Sequence, residues 1–390
     1  MPLALTPGRI AAAVLVAASL AATVWLSFTH DVLPSMIPNT DMHELHVDFD
    51  TFWQSAVALT HGADIYDTPA KLTNLNPPLM TVLLAPFALL DALVAYRVWV
   101  VLAALLVIGS LLLVGRELRL RPAVTVLAVL AVLASSPLHG TLVLGQIYPV
   151  LLAGIVAGWL AERHDRPVLA AVLYGVVVAL KPSLAPLLLI PAVQRRWAPL
   201  RAGIASAAVA TLAGLAVCGP RSGLDWVGIA LHEPVPDTVD NASLPGLFVR
   251  EGLPATIGTV LGLVVLAGTL AWVARHRDRL HPGGTLPFAV LAAGLLLSPI
   301  AWHNYLLLLF PGVFVLCTRG WGAGAAVMLA VAVLPVSWNA PDAPGSLIDG
   351  STYFLILVAY WVVLVRAAPL TGPSSVAAEE PETAGATADG

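Results

Sequence analysis

The sequence predicts an all-α polytopic membrane protein. Of its 390 residues, 58% are hydrophobic and only 11% are charged, which is too little polar surface for a water-soluble fold. Long runs of Leu, Val and Ala lack the strict alternation of barrel strands. Because backbone polar groups inside hydrocarbon must be satisfied within one segment, the spans are expected to be helices.

We predict twelve membrane-spanning helices from the apolar runs. The first run has only Arg9 before it and no convincing small-residue cleavage site, so we interpret it as a helix and not as a removed signal peptide. The twelve segments are 10–29, 93–114, 122–138, 147–161, 168–180, 184–194, 200–218, 254–274, 285–301, 304–318, 322–336 and 352–366.

The distribution of basic residues supports this order of segments. With a cytoplasmic N-terminus, fourteen of the nineteen Lys and Arg residues fall on the inner side, as the positive-inside rule requires. These are Arg9, Arg116, Arg119, Arg121, Arg163, Arg166, Arg195, Arg196, Arg201, Arg275, Arg277, Arg279, Arg319 and Arg366. An even number of helices places both termini in the cytoplasm, and residues 367–390 are expected to form a disordered cytoplasmic tail.

Two classes of site are disfavoured by the same map. Cys218 and Cys317 fall on opposite sides of the membrane, which argues against a disulfide or a metal pair. A basic stripe with interleaved aromatic residues is missing from the sequence, so nucleic acid is not an expected partner. Function is therefore sought in the outward-facing regions that interrupt the hydrophobic pattern.

The outer loop 30–91 carries a carboxylate pair, Asp48 and Asp50. Apolar residues from Phe52 to Leu59 recur at helical spacing until Gly62, which predicts a short amphipathic helix lying on the membrane surface with its apolar face down. Carboxylates at the start of that helix are candidates for chemistry on a lipid-linked substrate, although capping and the helix dipole also favour them there. The apolar stretch 79–90 is short for a span and predicts a second surface-lying or partly inserted helix.

A second outward region combines 144–149 with 180–183. The helices 168–180 and 184–194 are too short to cross about 30 Å of hydrocarbon, so their junction is expected to lie below the outer surface. Lys181 at this junction is either a snorkelling lysine or a cation placed to meet a lipid phosphate. Gln146 is a further polar candidate.

A third outward region is the turn 298–305. Its Trp302 and Tyr305 fit an ordinary aromatic anchor at the membrane interface. His303 in the same turn is also suited to donate to a phosphate or to shuttle a proton near neutral pH.

Several motifs in this order resemble glycosyltransferase family 87. They are the run 48–66, Asn76-Pro77-Pro78, Ala85-Pro86, Gly145-Gln146, Leu180-Lys181-Pro182 and 297–302. The resemblance implies a GT-C type fold and an enzyme that uses a polyprenyl-phosphate sugar, as the mannosyl- and arabinofuranosyltransferases of this family do. The family's loop aspartate falls on Asp48, and Asp50 occupies a variable position.

The chain departs from the family pattern at two places. The family commonly has its histidine two residues after the tryptophan, whereas His303 directly follows Trp302. Residues 241–247 lack the Gln and Arg of an Asn-Gln-Ser-Leu-Arg-Gly type of sequence, and Arg250 is the candidate that supplies the missing charge.

We therefore expect residues 1–366 to form a membrane glycosyltransferase domain whose site faces outward from the plasma membrane. In an inverting single displacement, Asp48 is the expected base and Lys181 and His303 are expected to stabilise the leaving phosphate. The expected substrate-binding residues are Asp50, Gln146, Lys181, Asn304 and Arg250. Mannose is favoured over arabinofuranose, the acceptor is a cell-envelope glycolipid or polysaccharide, and no cofactor or metal is expected.

Two alternatives remain open from the sequence. Short, proline-interrupted helices around Lys181 are also typical of a transporter or a flippase for lipid-linked sugars. A non-catalytic scaffold with the same fold is the other alternative, and it predicts that Asp48 is replaceable without loss of activity.

Overall fold

The computed structural model describes residues 41–318, 321–333 and 351–370. Sixteen α-helices and five short 3-10 helices account for most of this part of the chain. The described residues contain no β-strand, and one isolated antiparallel bridge joins Asn241 to Trp302. The all-helical class predicted from the composition is confirmed.

The helices follow one another with short connections. In chain order they are α1 Val47–Thr60, α2 Pro78–Leu84, α3 Ala92–Glu117, α4 Pro122–Leu133, α5 Ser136–Leu144, α6 Tyr148–Arg163, α7 Pro167–Leu180, α8 Pro186–Val193, α9 Trp197–Cys218, α10 Pro220–His232, α11 Leu244–Arg250, α12 Ala255–Arg275, α13 Leu286–Leu297, α14 Phe310–Cys317, α15 Gly322–Val333 and α16 Thr352–Ala367. The 3-10 helices are Ala85–Leu89, Pro182–Leu184, Arg277–Arg279, His303–Leu309 and Ala368–Leu370.

Three of the described helices, α3, α9 and α12, are long and apolar enough to cross a membrane. The bent pair α4 and α5 makes a fourth span if the two helices are counted together. Shorter helices lie at the other predicted segments in this part of the chain. The predicted segment 10–29, the end of segment 322–336 and tail residues 371–390 lie outside the described residues.

The extent predicted for segment 122–138 is wrong. Helix α4 ends at Leu133, and α5 starts at Ser136 with its axis turned by 54°. Pro137 in the first turn of α5 cannot donate a backbone hydrogen bond to α4, so the helical ladder stops before it. The Ser135 side chain instead accepts a bond from the Leu138 backbone N–H at 3.4 Å and caps the new helix.

Both helices predicted in the outer loop are present, but the apolar face of α1 has a different neighbour. Phe49 and Phe52 of α1 are buried, and Phe49 contacts the rings of Tyr96 and Trp99 from α3. Helix α1 also packs against α2 and the 3-10 helix that follows it. These aromatic side chains supply an apolar partner within the protein, so protein covers the face that we expected to rest on the bilayer.

The core of the described part is built around α13 and the segment His303–Cys317. Every residue from Leu286 to Leu296 is buried, as are those from His303 to Leu316. Helices α9 and α12 lie outside this core with many exposed apolar side chains. The core therefore fixes the turn 298–302, which leads from α13 into the buried 3-10 helix.

Charged pairs collect at one end of the bundle. Arg163 Nε donates to Glu117 Oε1 at 2.8 Å, and Arg196 Nη2 donates to Glu162 Oε2 at 2.9 Å. Glu117 is the last residue of α3, and Glu162 and Arg163 are the last two of α6. Arg196 lies three residues after the end of α8. The N-terminus of α6 lies at the opposite end, beside the predicted site residues.

Candidate active site

Asp48 and Gln146 are in direct contact. Asp48 lies in the first turn of α1, and the Gln146 side-chain Nε2 donates to its Oδ2 at 2.6 Å. The link depends on a close approach between α1 and the end of α5. Gly145 ends α5 with φ +70°, and a Cβ on it would lie 2.5 Å from the Phe49 Cβ. Glycine therefore allows Gln146 to reach Asp48.

Lys181 lies at the break after α7. Pro182 follows it and favours an extended conformation at position 181, where the helix ends. The Lys181 ammonium donates to the Asn76 side-chain Oδ1 at 2.9 Å and lies 6.0 Å from the centre of the Tyr305 ring. Its charge also acts on the Asp48 carboxylate. The structure thus brings together three of the predicted residues, Asp48, Gln146 and Lys181.

Asn76 is a site residue to which the sequence analysis gave no role. Its backbone N–H and side-chain Nδ2 both donate to Asn74 Oδ1, at 3.0 and 3.2 Å. Asn74 Nδ2 in turn donates to Ser55 Oγ of α1 at 3.0 Å, and the Tyr66 hydroxyl donates to the Asn76 carbonyl at 2.9 Å. With its nitrogen atoms engaged by Asn74, Asn76 presents its side-chain oxygen to Lys181. The motif Asn76-Pro77-Pro78 was the available signal.

The ionisation of Asp48 is shifted toward neutral pH. Burial raises the pKa of this carboxyl from 3.8 to about 6, against the lowering effects of the Gln146 hydrogen bond and the Lys181 charge. Asp48 is half-buried as a residue, in contrast to the fully buried Asp50. A carboxyl with a pKa near 6 is ionised at pH 7 and is basic enough to take a proton from a reacting hydroxyl.

Two buried tyrosines lie beside these charged groups. The Tyr148 and Tyr305 ring centres are 4.6 Å apart, and Tyr305 Oη lies 3.4 Å from Ser183 Oγ. Tyr148 begins α6 two residues after Gln146, whereas Tyr305 belongs to the 3-10 helix of the core. This pair connects the Asp48 side of the site with the Lys181 side.

The Asp50 carboxylate lies apart from the contact between Asp48 and Gln146. It is only 2% exposed, and its Oδ2 lies 3.0 Å from His43 Nδ1. Residues two apart on an α-helix are separated by about 200° around the axis, so the two carboxylates leave α1 in nearly opposite directions.

His303 and Asn304 are placed deeper than expected. His303 is 1% exposed, its ring stacks on Tyr353 at 4.7 Å between centres, and it bonds the backbone of Ser136. Its backbone N–H donates to the Asp240 carbonyl at 2.8 Å. Asn304 is also 1% exposed, and its Oδ1 has no hydrogen-bond partner among the described residues.

Arg250 stabilises the loop 238–241, which in turn contacts the turn 298–302 before the core. Its Nη1 donates to the carbonyls of Thr238 and Asn241 at 2.7 and 2.8 Å. The Asn241 side chain then accepts from the Ala301 backbone N–H at 3.0 Å. Burial raises the pKa of the neighbouring Asp240 to about 6, and the Arg250 charge opposes that rise. These hydrogen bonds join Arg250 to the 299–303 turn and not to Asp48.

Comparison with known proteins gives a family context for these residues. The sequence profile of glycosyltransferase family 87 matches residues 74–299. This stretch includes Asn76, Gln146 and Lys181 and begins after Asp48.

Among the described residues, no group of three or more His, Cys, Asp or Glu side chains is arranged to hold a metal ion.

Individual relatives differ in the sugar that their names carry. A polyprenol-phosphate-mannose-dependent alpha-(1-2)-phosphatidylinositol mannoside mannosyltransferase of Mycobacterium tuberculosis is 28% identical over 318 residues, 74% of each chain. An alpha-(1->3)-arabinofuranosyltransferase of the same species is 27% identical over 306 residues, 75% of this chain and 70% of its own. That of Corynebacterium glutamicum is 25% identical over 287 residues, 69% of this chain and 67% of its own.

Proposed function

Because the chain belongs to glycosyltransferase family 87, we propose that it transfers a sugar from a polyprenyl-phosphate donor to a glycolipid or polysaccharide of the cell envelope. One observation carries this proposal. A half-buried carboxylate with a pKa near 6 and an ammonium held by a neutral amide, Asp48 and Lys181, belong to the same site. Mannose is the favoured sugar and arabinofuranose the next, in line with the two kinds of relative.

Asp48 is the proposed general base. The oxygen of an acceptor hydroxyl forms a bond to the anomeric carbon of the donor, and its proton passes to the Asp48 carboxylate. Gln146 donates to Asp48 Oδ2, which leaves Oδ1 for the acceptor. Gln146 therefore acts in the proposal by fixing the orientation of the base, in place of the direct substrate binding that we first expected.

Lys181 is the proposed cation for the leaving group. The bond between the anomeric carbon and the phosphate oxygen breaks, and its electron pair remains on the polyprenyl phosphate. An ammonium beside that oxygen stabilises the developing charge. Attack from the opposite face inverts the anomeric centre in one step, which requires one catalytic carboxylate and not the pair used in most glycoside hydrolysis.

The remaining predicted residues take supporting places in the proposal. His303 and Asn304 directly precede Tyr305, and the buried Asn304 Oδ1, which has no hydrogen-bond partner among the described residues, is proposed to accept from a substrate hydroxyl. His303, with its ring against Tyr353 and Ser136, is kept as a candidate for contact with the phosphate. Arg250 and Asp50 are proposed to hold the surrounding loops through Thr238, Asn241 and His43.

The architecture proposed for the enzyme is of the GT-C type with twelve membrane-spanning helices. Three long apolar helices, one bent pair and several shorter apolar helices support this arrangement. The Arg163–Glu117 and Arg196–Glu162 pairs lie at the end assigned to the cytoplasm, and the site lies at the other. Both termini are proposed to be cytoplasmic, with the site on the extracytoplasmic face of the plasma membrane.

The test is sugar transfer by the purified protein in lipid nanodiscs. Decaprenyl-phosphoryl mannose and decaprenyl-phosphoryl arabinose are offered in parallel with a cell-envelope lipid extract, to wild type and to Asp48→Asn. We expect transfer from one donor and its loss in the variant. Transport of the lipid-linked sugar without transfer would replace the proposal by a flippase, and full activity of Asp48→Asn would remove Asp48 as the base.

A further inference from the structure

Helix α10, Pro220–His232, is an amphipathic helix that the sequence analysis did not predict. It follows α9, one of the candidate spans, after a single glycine, Gly219, whose φ of +86° turns the chain. Leu224 and Leu231 are each 75% exposed and Val227 is 45% exposed. These three residues lie at i, i+3 and i+7, which places them in one stripe along the helix.

The opposite side of α10 packs on the protein beside the candidate active site. Ser222 is buried, and Trp226 Nε1 donates to the Leu75 carbonyl at 3.2 Å. Leu75 lies between Asn74 and Asn76, the two amides that position the Lys181 ammonium. The helix thus supports the backbone of the loop that holds this cation.

Charged residues occupy a third side of α10. Arg221 and Asp225 lie one turn apart with 3.8 Å between Arg221 Nε and Asp225 Oδ2, and His232 follows on the same edge. By helical geometry this edge is roughly 100° from the apolar stripe. A helix with separate protein, water and apolar sides is suited to the plane of a membrane interface and not to a position across the bilayer.

The neighbouring helix indicates what covers the apolar stripe. Helix α9 ends directly before α10, and its own exposed side chains include Val209, Leu212 and Val217. In a membrane-associated protein these side chains face lipid, so the stripe of α10 continues a lipid-facing surface. The charges of Arg221 and Asp225 offset each other, and attraction to anionic lipid is therefore small.

We propose that α10 lies in the membrane surface with Leu224, Val227 and Leu231 at the boundary of the acyl chains. Burial of these exposed apolar side chains among acyl chains removes them from water and favours this position. Through the Trp226 bond to Leu75, the helix holds the Asn74–Asn76 loop at the depth of the lipid head groups. This last step rests on the proposed function, because it places Lys181 level with the phosphate of a lipid-linked donor. The lipid contact itself does not.

Fluorescence quenching at single cysteines tests the lipid contact. Cys218→Ser and Cys317→Ser provide the background, and an NBD label is attached to Leu224→Cys, Leu231→Cys or the water-facing control Arg221→Cys. In phosphatidylcholine nanodiscs we expect lipids carrying a nitroxide near the head group to quench positions 224 and 231 at least threefold more than position 221. Iodide in the buffer is expected to quench position 221 more than positions 224 and 231. Addition of 30% phosphatidylglycerol is expected to change neither the nitroxide quenching nor the iodide quenching.

Two results would overturn the proposal. Iodide quenching at 224 equal to that at 221 places the stripe in water. Protection of 224 from both quenchers places it under protein, such as a second copy of this chain. The functional step has its own readout, since Leu224→Glu with Leu231→Glu is expected to raise the KM for the lipid-linked donor at least fivefold with kcat unchanged. An inactive wild type would leave the quenching result standing.

Discussion

Removal of the Gln146 hydrogen bond is the sharpest test of Asp48 as a base. Gln146→Leu keeps a side chain of similar size and removes the donor that contacts Asp48 Oδ2 at 2.6 Å. A hydrogen bond to a charged group contributes about 1.5–3 kcal/mol, and one pKa unit corresponds to about 1.4 kcal/mol. The pKa of Asp48, now about 6, is therefore expected to rise by about one to two units in the variant.

The sign of the effect on activity follows from the role of the group. A general base works when it is ionised, so transfer by wild type is expected to fall as pH drops through about 6. In Gln146→Leu this acid limb moves to higher pH, while the rate well above the new pKa recovers toward that of wild type. The assay is kcat/KM for transfer in nanodiscs between pH 5 and pH 9.

Ser183→Ala is the matched control, because it removes a hydroxyl that lies beside Tyr305 in the same site. Its acid limb is expected to stay near that of wild type. A Gln146→Leu variant that loses activity equally at every pH, with the limb unmoved, would refute the argument that Gln146 sets the ionisation of Asp48.

Three further predictions concern the same site. Asp48→Asn is expected to abolish transfer yet to raise Tm above pH 6. The pKa of Asp48 is about 6 in the folded state against 3.8 in the free residue, so the wild-type folded state loses stability as the pH rises between these two values. An unchanged or lower Tm of the variant in detergent contradicts this. Asn76→Asp places a carboxylate beside Lys181 and is expected to raise the donor KM at least tenfold, more than Asn76→Ala does; equal KM values for the two argue against phosphate binding there. Gly145→Ala is expected to lower the free energy of unfolding by about 1–2 kcal/mol, because φ at this position is +70° and the new Cβ would collide with Phe49. An unchanged Tm contradicts this prediction.

Apolar periodicity and helix-breaking residues in the sequence predicted most of the helices. Residues from Phe52 to Leu59 gave α1 and placed Asp48 in its first turn, as the structure has it. Pro182 gave the break at which Lys181 lies. These signals act over a few residues, because a helix boundary depends mainly on local backbone chemistry.

Contacts between distant parts of the chain were harder to predict. Asn76 meets Lys181 across 105 positions, and its role depends on Asn74 taking up its nitrogen atoms. Nothing in a single sequence states which polar side chain faces which. The buried surroundings of His303 have the same origin, since Tyr353 and the Ser136 backbone come from remote elements.

Helix geometry bears on the choice between one and two catalytic carboxylates. A double displacement needs two carboxyl groups flanking one sugar, about 5–5.5 Å apart in retaining glycosidases. Asp48 and Asp50 are only two positions apart in the sequence, but they leave α1 about 200° apart around its axis. Asp48 contacts Gln146, whereas Asp50 is buried beside His43. Because the two side chains leave nearly opposite sides of the helix, this arrangement supports the proposed single inverting displacement with one carboxylate.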